Sequence, residues 1–174
     1  MPYTDLLRVT VLLTGAEATA LAAITAIAAN RDSDTTTALV AASWWLIALV
    51  VGLYLGRPSR AADSLRDTLA QARTATSLPP ETPARIAFGR LWPIALTAVV
   101  AGAFGAFFPG VAAIGAGYAL LVSLAWYSRE AAVLAIEQRD GVRFYVVPNS
   151  ALRPIQLVRT PGLRTDRLNA ERSV

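Results

Sequence analysis

Residues 91–127 read LWPIALTAVVAGAFGAFFPGVAAIGAGYALLVSLAWY and contain no charged side chain. The only strong turn signal inside this run is Pro109-Gly110, which divides it into apolar stretches at 91–108 and 111–127. Each is about long enough to cross the ~30 Å hydrocarbon core of a bilayer as a helix. Working outward toward the N-terminus, two more such stretches occur at 9–29 and 38–55. The pattern predicts an all-α membrane protein, a four-transmembrane-helix bundle.

Composition agrees with this class. Of 174 residues, 55% are hydrophobic and only 16% are charged, against roughly a quarter charged in soluble domains. Cysteine and histidine are both missing, which removes thiolate nucleophiles, imidazole bases and the commonest zinc and haem ligands. Serine and threonine nucleophiles have no visible base. The chain therefore reads as non-enzymatic, with no cofactor and no metal centre expected.

All 16 basic residues are arginine. Arg8 precedes the first stretch, Arg57 to Arg90 supply six between the second and third, and Arg129 to Arg172 supply eight after the fourth. Only Arg31 lies between the first and second stretches. Because basic flanks resist translocation, both termini and the central loop are expected in the cytoplasm of a multi-pass cell (inner or plasma) membrane protein. Tyr54, Trp92, Trp126 and Tyr127 fall at the predicted inner boundary, and Trp44, Trp45, Phe107 and Phe108 toward the outer one, as interfacial aromatics do. Ala18-Thr19-Ala20 looks like a small-residue cleavage site, but the apolar run continues to Ala29, so retention of the first helix is expected.

The chain divides into a first hairpin (1–56), an arginine-rich loop with a short helix (57–90), a second hairpin with a helical extension (91–140), and a tail (141–174). From 111 to 140 there is no proline, and Glu130, Glu137 and Arg139 interleave with Val133, Leu134 and Ile136 before Gly141 stops the helix. Thirty residues make roughly 45 Å of helix, so the fourth helix should be extended beyond the membrane. In the loop, residues 59–75 read as a surface helix with Leu65 and Leu69 one turn apart, and Thr82-Pro83 as the cap and first turn of the next. Val142, Phe144 and Val146 alternate with Arg143, Tyr145 and Val147, then Pro148-Asn149-Ser150 signals a turn before a second run at 155–158. This predicts a small cytoplasmic β-hairpin, followed by a disordered segment from Thr160.

Small residues should pack the bundle, since lipid is as apolar as leucine and helices associate in it by close approach. The packing candidates are Gly15, Gly102, Gly105, Gly115 and Gly117. One residue asks for chemistry. Glu17 lies about mid-membrane, where an ionised carboxylate is costly unless paired or neutralised. Thr10 and Thr14 lie at helical spacing toward it, and Tyr118 at similar depth is the best hydroxyl partner. Four spans with a carboxylate in the first resemble the small multidrug resistance transporters, which implies proton- or cation-linked transport by an oligomer through Glu17. The long arginine-rich loop and tail depart from that pattern.

That transport reading is the alternative; the preferred function is an accessory, scaffold or assembly role, in which the bundle anchors a tail that meets a protein partner or a second copy through Arg143, Phe144, Tyr145, Arg153 and Arg159. Anionic lipid headgroups on the cytoplasmic side are the expected partners of the remaining arginines. Nucleic acid is not expected, because no recognised binding motif accompanies them. Asp32-Ser33-Asp34 could hold a cation, but such a turn more often caps the following helix.

Overall fold

The computed structural model describes residues 1–60, 65, 69, 72–74, 82–149, 151 and 153–161. Within these, α1 spans Tyr3–Arg31, α2 Thr35–Leu55, α3 Pro83–Gly105, α4 Pro109–Tyr127 and α5 Arg129–Asp140. Three strands accompany them: β1 at Arg73–Thr74, β2 at Val142–Val146 and β3 at Leu157–Pro161. Four helices, counting α4 with α5 as one, are long and apolar enough to span a membrane. They are joined at one end by the turns at 32–34 and 106–108, while residues 1–8, the loop after α2, and α5 with the strands gather at the other.

The helices do not pair as two sequential hairpins. The most extensive packing joins α1 to α4 and α2 to α4, while α3 lies against α1 and α4 from outside. The cause is the distribution of small residues. Ala112, Ala113, Ala116, Gly117 and Ala119 are all buried on α4, which lets three neighbours approach one helix closely. In contrast, only Ile86 and Gly105 are buried on α3, and Phe88, Leu96, Val99 and Phe104 face outward. Pro93 also sits inside α3, so the Gly89 carbonyl four residues back receives no helical N–H bond.

All five predicted packing glycines lie in the bundle. A Cβ on Gly115 would meet the Leu21 side chain at 2.9 Å, one on Gly105 the Ala112 methyl, and one on Gly117 would fall inside the Trp44 indole. Gly15 sits 3.4 Å from the Ser123 hydroxyl by the same construction, and Gly102 more loosely against Leu21 and Ile24. Two further notches were not predicted: Gly52 receives Leu124, and Gly56 lies against the Leu124 carbonyl.

Two helices are longer than a bilayer crossing requires. The 29 residues of α1 make about 43 Å, and its first turns begin six residues before the predicted span. Tyr3, Leu6 and Leu7 follow helical spacing and are buried, which explains the early start. The extension of the fourth helix is present but broken at Ser128, which caps α4, and Gly141 ends α5 in the left-handed region at φ 63°.

Beyond these ends lies a second, larger apolar core. It unites Tyr3, Leu6 and Leu7 of α1, Leu65 and Leu69 of the loop, Ile86 of α3, Val133 of α5, and Val142, Phe144, Val146 and Leu157 of the strands. Burying a leucine-sized side chain contributes about 1.5–3 kcal/mol, so this assembly of distant segments is a folded headpiece and not a loose tail.

The sheet corrects the hairpin prediction in three respects. It has a third strand, because β1 pairs in parallel with β3, giving the order β1-β3-β2. The start of the chain also joins: Pro2 bridges Tyr145, and the Val146 N–H donates to the Met1 carbonyl at 3.0 Å. Finally, β3 begins at Leu157, not Ile155, and takes in Thr160 and Pro161, which were expected to be disordered. The register explains the shift, since Leu157 opposite Val146 places two buried side chains together. Residues 162–174 lie outside the described residues, as does most of the predicted loop helix; Arg73 and Thr74, expected within that helix, are in β1 instead.

At the opposite end Asp34 caps α2, accepting hydrogen bonds from the Thr37 amide and hydroxyl. These bonds hold its carboxyl below the usual aspartate range. A depressed native pKa means that stability is present above the unfolded value and lost as pH falls through the native one. The first turn of α2 is therefore expected to fray only below the ordinary Asp range, read as loss of protection of the Thr37 amide in a pH series. Asp34→Asn should remove the pH dependence while keeping the cap.

Candidate functional site

Glu17 lies on α1 at the position expected, half-exposed. Four and seven residues further along are Leu21 and Ile24, whose side chains flank Gly102 of α3, so the helical repeat turns the carboxylate toward the α3 side. Among the described residues nothing donates to it or pairs with it.

The structure does not assemble the expected polar group around it. Thr10 and Thr14 are buried, but their hydroxyls donate to the carbonyls of Leu6 at 2.7 Å and Thr10 at 2.9 Å on their own helix. Thr25 does the same to Leu21. Such back-bonding satisfies a hydroxyl inside an apolar bundle and leaves no donor aimed at a neighbour. Tyr118 is 58% exposed and packs edge-on against Trp44, with ring centroids 5.3 Å apart. It forms no bond with Glu17.

The tryptophans predicted for the outer interface play a different part. Trp44 Nε1 donates to the Ile114 carbonyl at 3.3 Å and Trp45 Nε1 to the Ala113 carbonyl at 2.9 Å, so both indoles fasten α2 to α4. Burial of a tryptophan requires a partner for its N–H, and glycine-rich α4 offers accessible carbonyls. Beside them, between the end of α1 and the start of α2, opens a cavity of about 440 Å³ lined by Thr25, Ala29, Asn30, Ser33, Asp34 and Trp45.

At the headpiece the predicted interaction residues separate into different environments. Phe144 is 3% exposed and belongs to the core, so it is not available to a partner. Its N–H donates to Glu137 Oε1 at 2.9 Å, tying β2 back to α5. Arg143 and Tyr145 alternate with it and pair with Thr160 and Val158 on the outer face of the sheet. Arg159 lies opposite Phe144 near the end of α5, within electrostatic reach of Asp140. Arg153 is exposed in the β2–β3 connection, and its carbonyl accepts from Arg90 Nη1 at 2.7 Å.

Sequence reasoning passed over a different group, at the seam between bundle and headpiece. Ser128 Oγ donates to the Gly56 carbonyl, which brings the ends of α2 and α4 together. Next in sequence to the bonded residues are Arg57 and Arg129; the guanidiniums of Arg57 and Arg60 cover the Tyr54 ring at 4.8 and 4.3 Å, and that of Arg129 covers Trp126 at 4.5 Å. The sequence marked the aromatics as interfacial and the arginines as topological, but nothing in its spacing joins residues 57 and 129.

No family model matches the chain, and neither a curated protein nor a solved structure is similar to it at a significant level.

Proposed function

We propose that this protein is a multi-pass membrane anchor of accessory or scaffold type, without enzymatic activity, which presents a folded cytoplasmic headpiece to a protein partner or to a second copy. The observation that supports this reading most is the headpiece core, to which α1, α3, α5, the loop and the strands all contribute. A chain whose largest apolar cluster lies beyond its spans is built to hold a platform in place. Arginine placement supports a cytoplasmic position for that platform.

The orientation can be tested directly, because the chain has no cysteine. Thr36→Cys is expected to react with an impermeant maleimide on intact cells, and Arg143→Cys only after lysis; the reverse pattern would overturn the assignment. Crosslinking in native membranes then tests the role. The outer face of the sheet carries Arg143 and Tyr145 without contributing to the core, so Arg143→Glu combined with Tyr145→Ser should lower recovery of a defined complex at least tenfold. Equal recovery from variant and native chains would sink the scaffold reading.

A second reading keeps one observation in its favour: Glu17 has no partner among the described residues. An intramembrane carboxyl that is not used structurally is a place for a proton or a cation. Cation-driven proton flux in vesicles that disappears in Glu17→Gln would support transport, and flux unchanged by that substitution would exclude this site.

A further inference from the structure

Among the described residues, the seam between α2 and α4 carries positive charge that no acid balances. Arg57, Arg60 and Arg129 form no ion pair among the described residues, and Glu130, adjacent to Arg129 in sequence, does not reach them within 4.0 Å. Arg129 Nε is moreover buried without a hydrogen-bond partner. Cation–π stacking orients a guanidinium on a ring but leaves its charge and most of its N–H donors available. Arg60 uses one Nη2 bond, at 2.9 Å, on the Tyr54 hydroxyl.

We propose that these three arginines form a binding site for the phosphate groups of an anionic phospholipid, with preference for a headgroup bearing more than one negative charge. The inference rests on the membrane reading above. Depth favours a lipid over other anions: α2 ends at Leu55 and α4 at Tyr127, so Tyr54 and Trp126 lie at the interface and the guanidiniums at the phosphate level. Charge complementarity favours it as well, since planar guanidiniums recognise phosphate oxygens in pairs. The geometry is also fixed in advance. Rings hold the side chains, and the Ser128 to Gly56 bond holds the helix ends from which they emerge, so little ordering remains for the moment of binding.

The full chain, purified in detergent and titrated with phosphatidylcholine, phosphatidylglycerol or cardiolipin, is examined by native mass spectrometry. Cardiolipin should be retained most strongly and phosphatidylcholine least. Loss of one juxtamembrane arginine is expected to weaken retention about fivefold, and Arg57→Gln, Arg60→Gln and Arg129→Gln together about a hundredfold. Arg31→Gln, at the opposite end, should change nothing. If the triple variant does not fold, the single variants at exposed Arg57 and Arg60 carry the test. Equal retention of neutral and anionic lipid, or retention unchanged in the variants, would overturn the site. So would cardiolipin displaced equally by millimolar inorganic phosphate, which would make the ligand a free anion. A chain that alkaline carbonate strips from native membranes would instead overturn the membrane reading, leaving the two failures distinguishable.

Discussion

Phe144→Ala is expected to destabilise the headpiece by about 3–5 kcal/mol, the usual cost of removing a buried phenyl ring. Its ring shares a core with residues of α1, α5, the loop and both longer strands, and 3% of the residue is exposed. Neighbours drawn from so many segments cannot collapse into the space together, because each is fixed by its own helix or strand, so the upper part of the range applies. The backbone bond from Phe144 to Glu137 survives the substitution, which confines the loss to packing. Hydrogen exchange in detergent should show residues 142–161 and the first turns of α1 opening together, while the α1–α4 contact about Leu21 and Ala116 stays protected. Opening limited to the strands would mean that the N-terminal turns are not part of one cooperative unit. Deleting residues 142–174 would remove the same core, so surface substitutions are the cleaner probe of partner binding.

Much of this architecture was legible in the sequence because long uncharged apolar runs leave so few alternatives to helices. Uninterrupted apolar length marked the four long helices, the Pro109-Gly110 pair marked the break between two of them although both residues open α4 and the turn lies at 106–108, and Gly141 marked a helix stop. What escaped was mostly pairing between distant segments. Tyr3, Leu6 and Leu7 occupy barely two turns ahead of a long apolar run, too few to reveal a separate face. Leu65 and Leu69 form a thin stripe whose partner lies some eighty residues away in the strands. A two-residue strand such as β1 has no period at all and exists only because β3 offers it an edge. For the site, Glu17 was located by hydropathy, but its surroundings were not. A threonine at helical spacing reads the same whether its hydroxyl faces a neighbour or its own i−4 carbonyl, and Thr10 and Thr14 do the latter.

Trp44 and Trp45 show how a sound general rule can leave a second role unseen. Interfacial preference describes tryptophans that find their hydrogen-bond partner in headgroups and water, yet here α4 supplies the partner. Gly117 makes this possible, because a side chain there would occupy the space of the Trp44 indole.

Gly117→Val should therefore detach α2 from α4 in the half nearer the 32–34 turn, at a cost above the about 1–3 kcal/mol of ordinary overpacking. The obstruction is a ring with only two rotatable bonds, and moving it also breaks the Trp44 bond to Ile114 and the edge contact with Tyr118. Gly110→Ala supplies the contrast: nothing lies within 4 Å of a Cβ there, so its effect should stay within about 0.5 kcal/mol. Unfolding in mixed micelles measures both. A cycle through Trp44→Ala separates the clash from helix propensity, which favours valine over glycine only slightly and equally in both backgrounds. With the indole gone, Gly117→Val should cost almost nothing, since the added methyls enter the vacated space. A penalty equally large in the Trp44→Ala background would place the clash elsewhere and end the claim that this glycine exists to seat the ring.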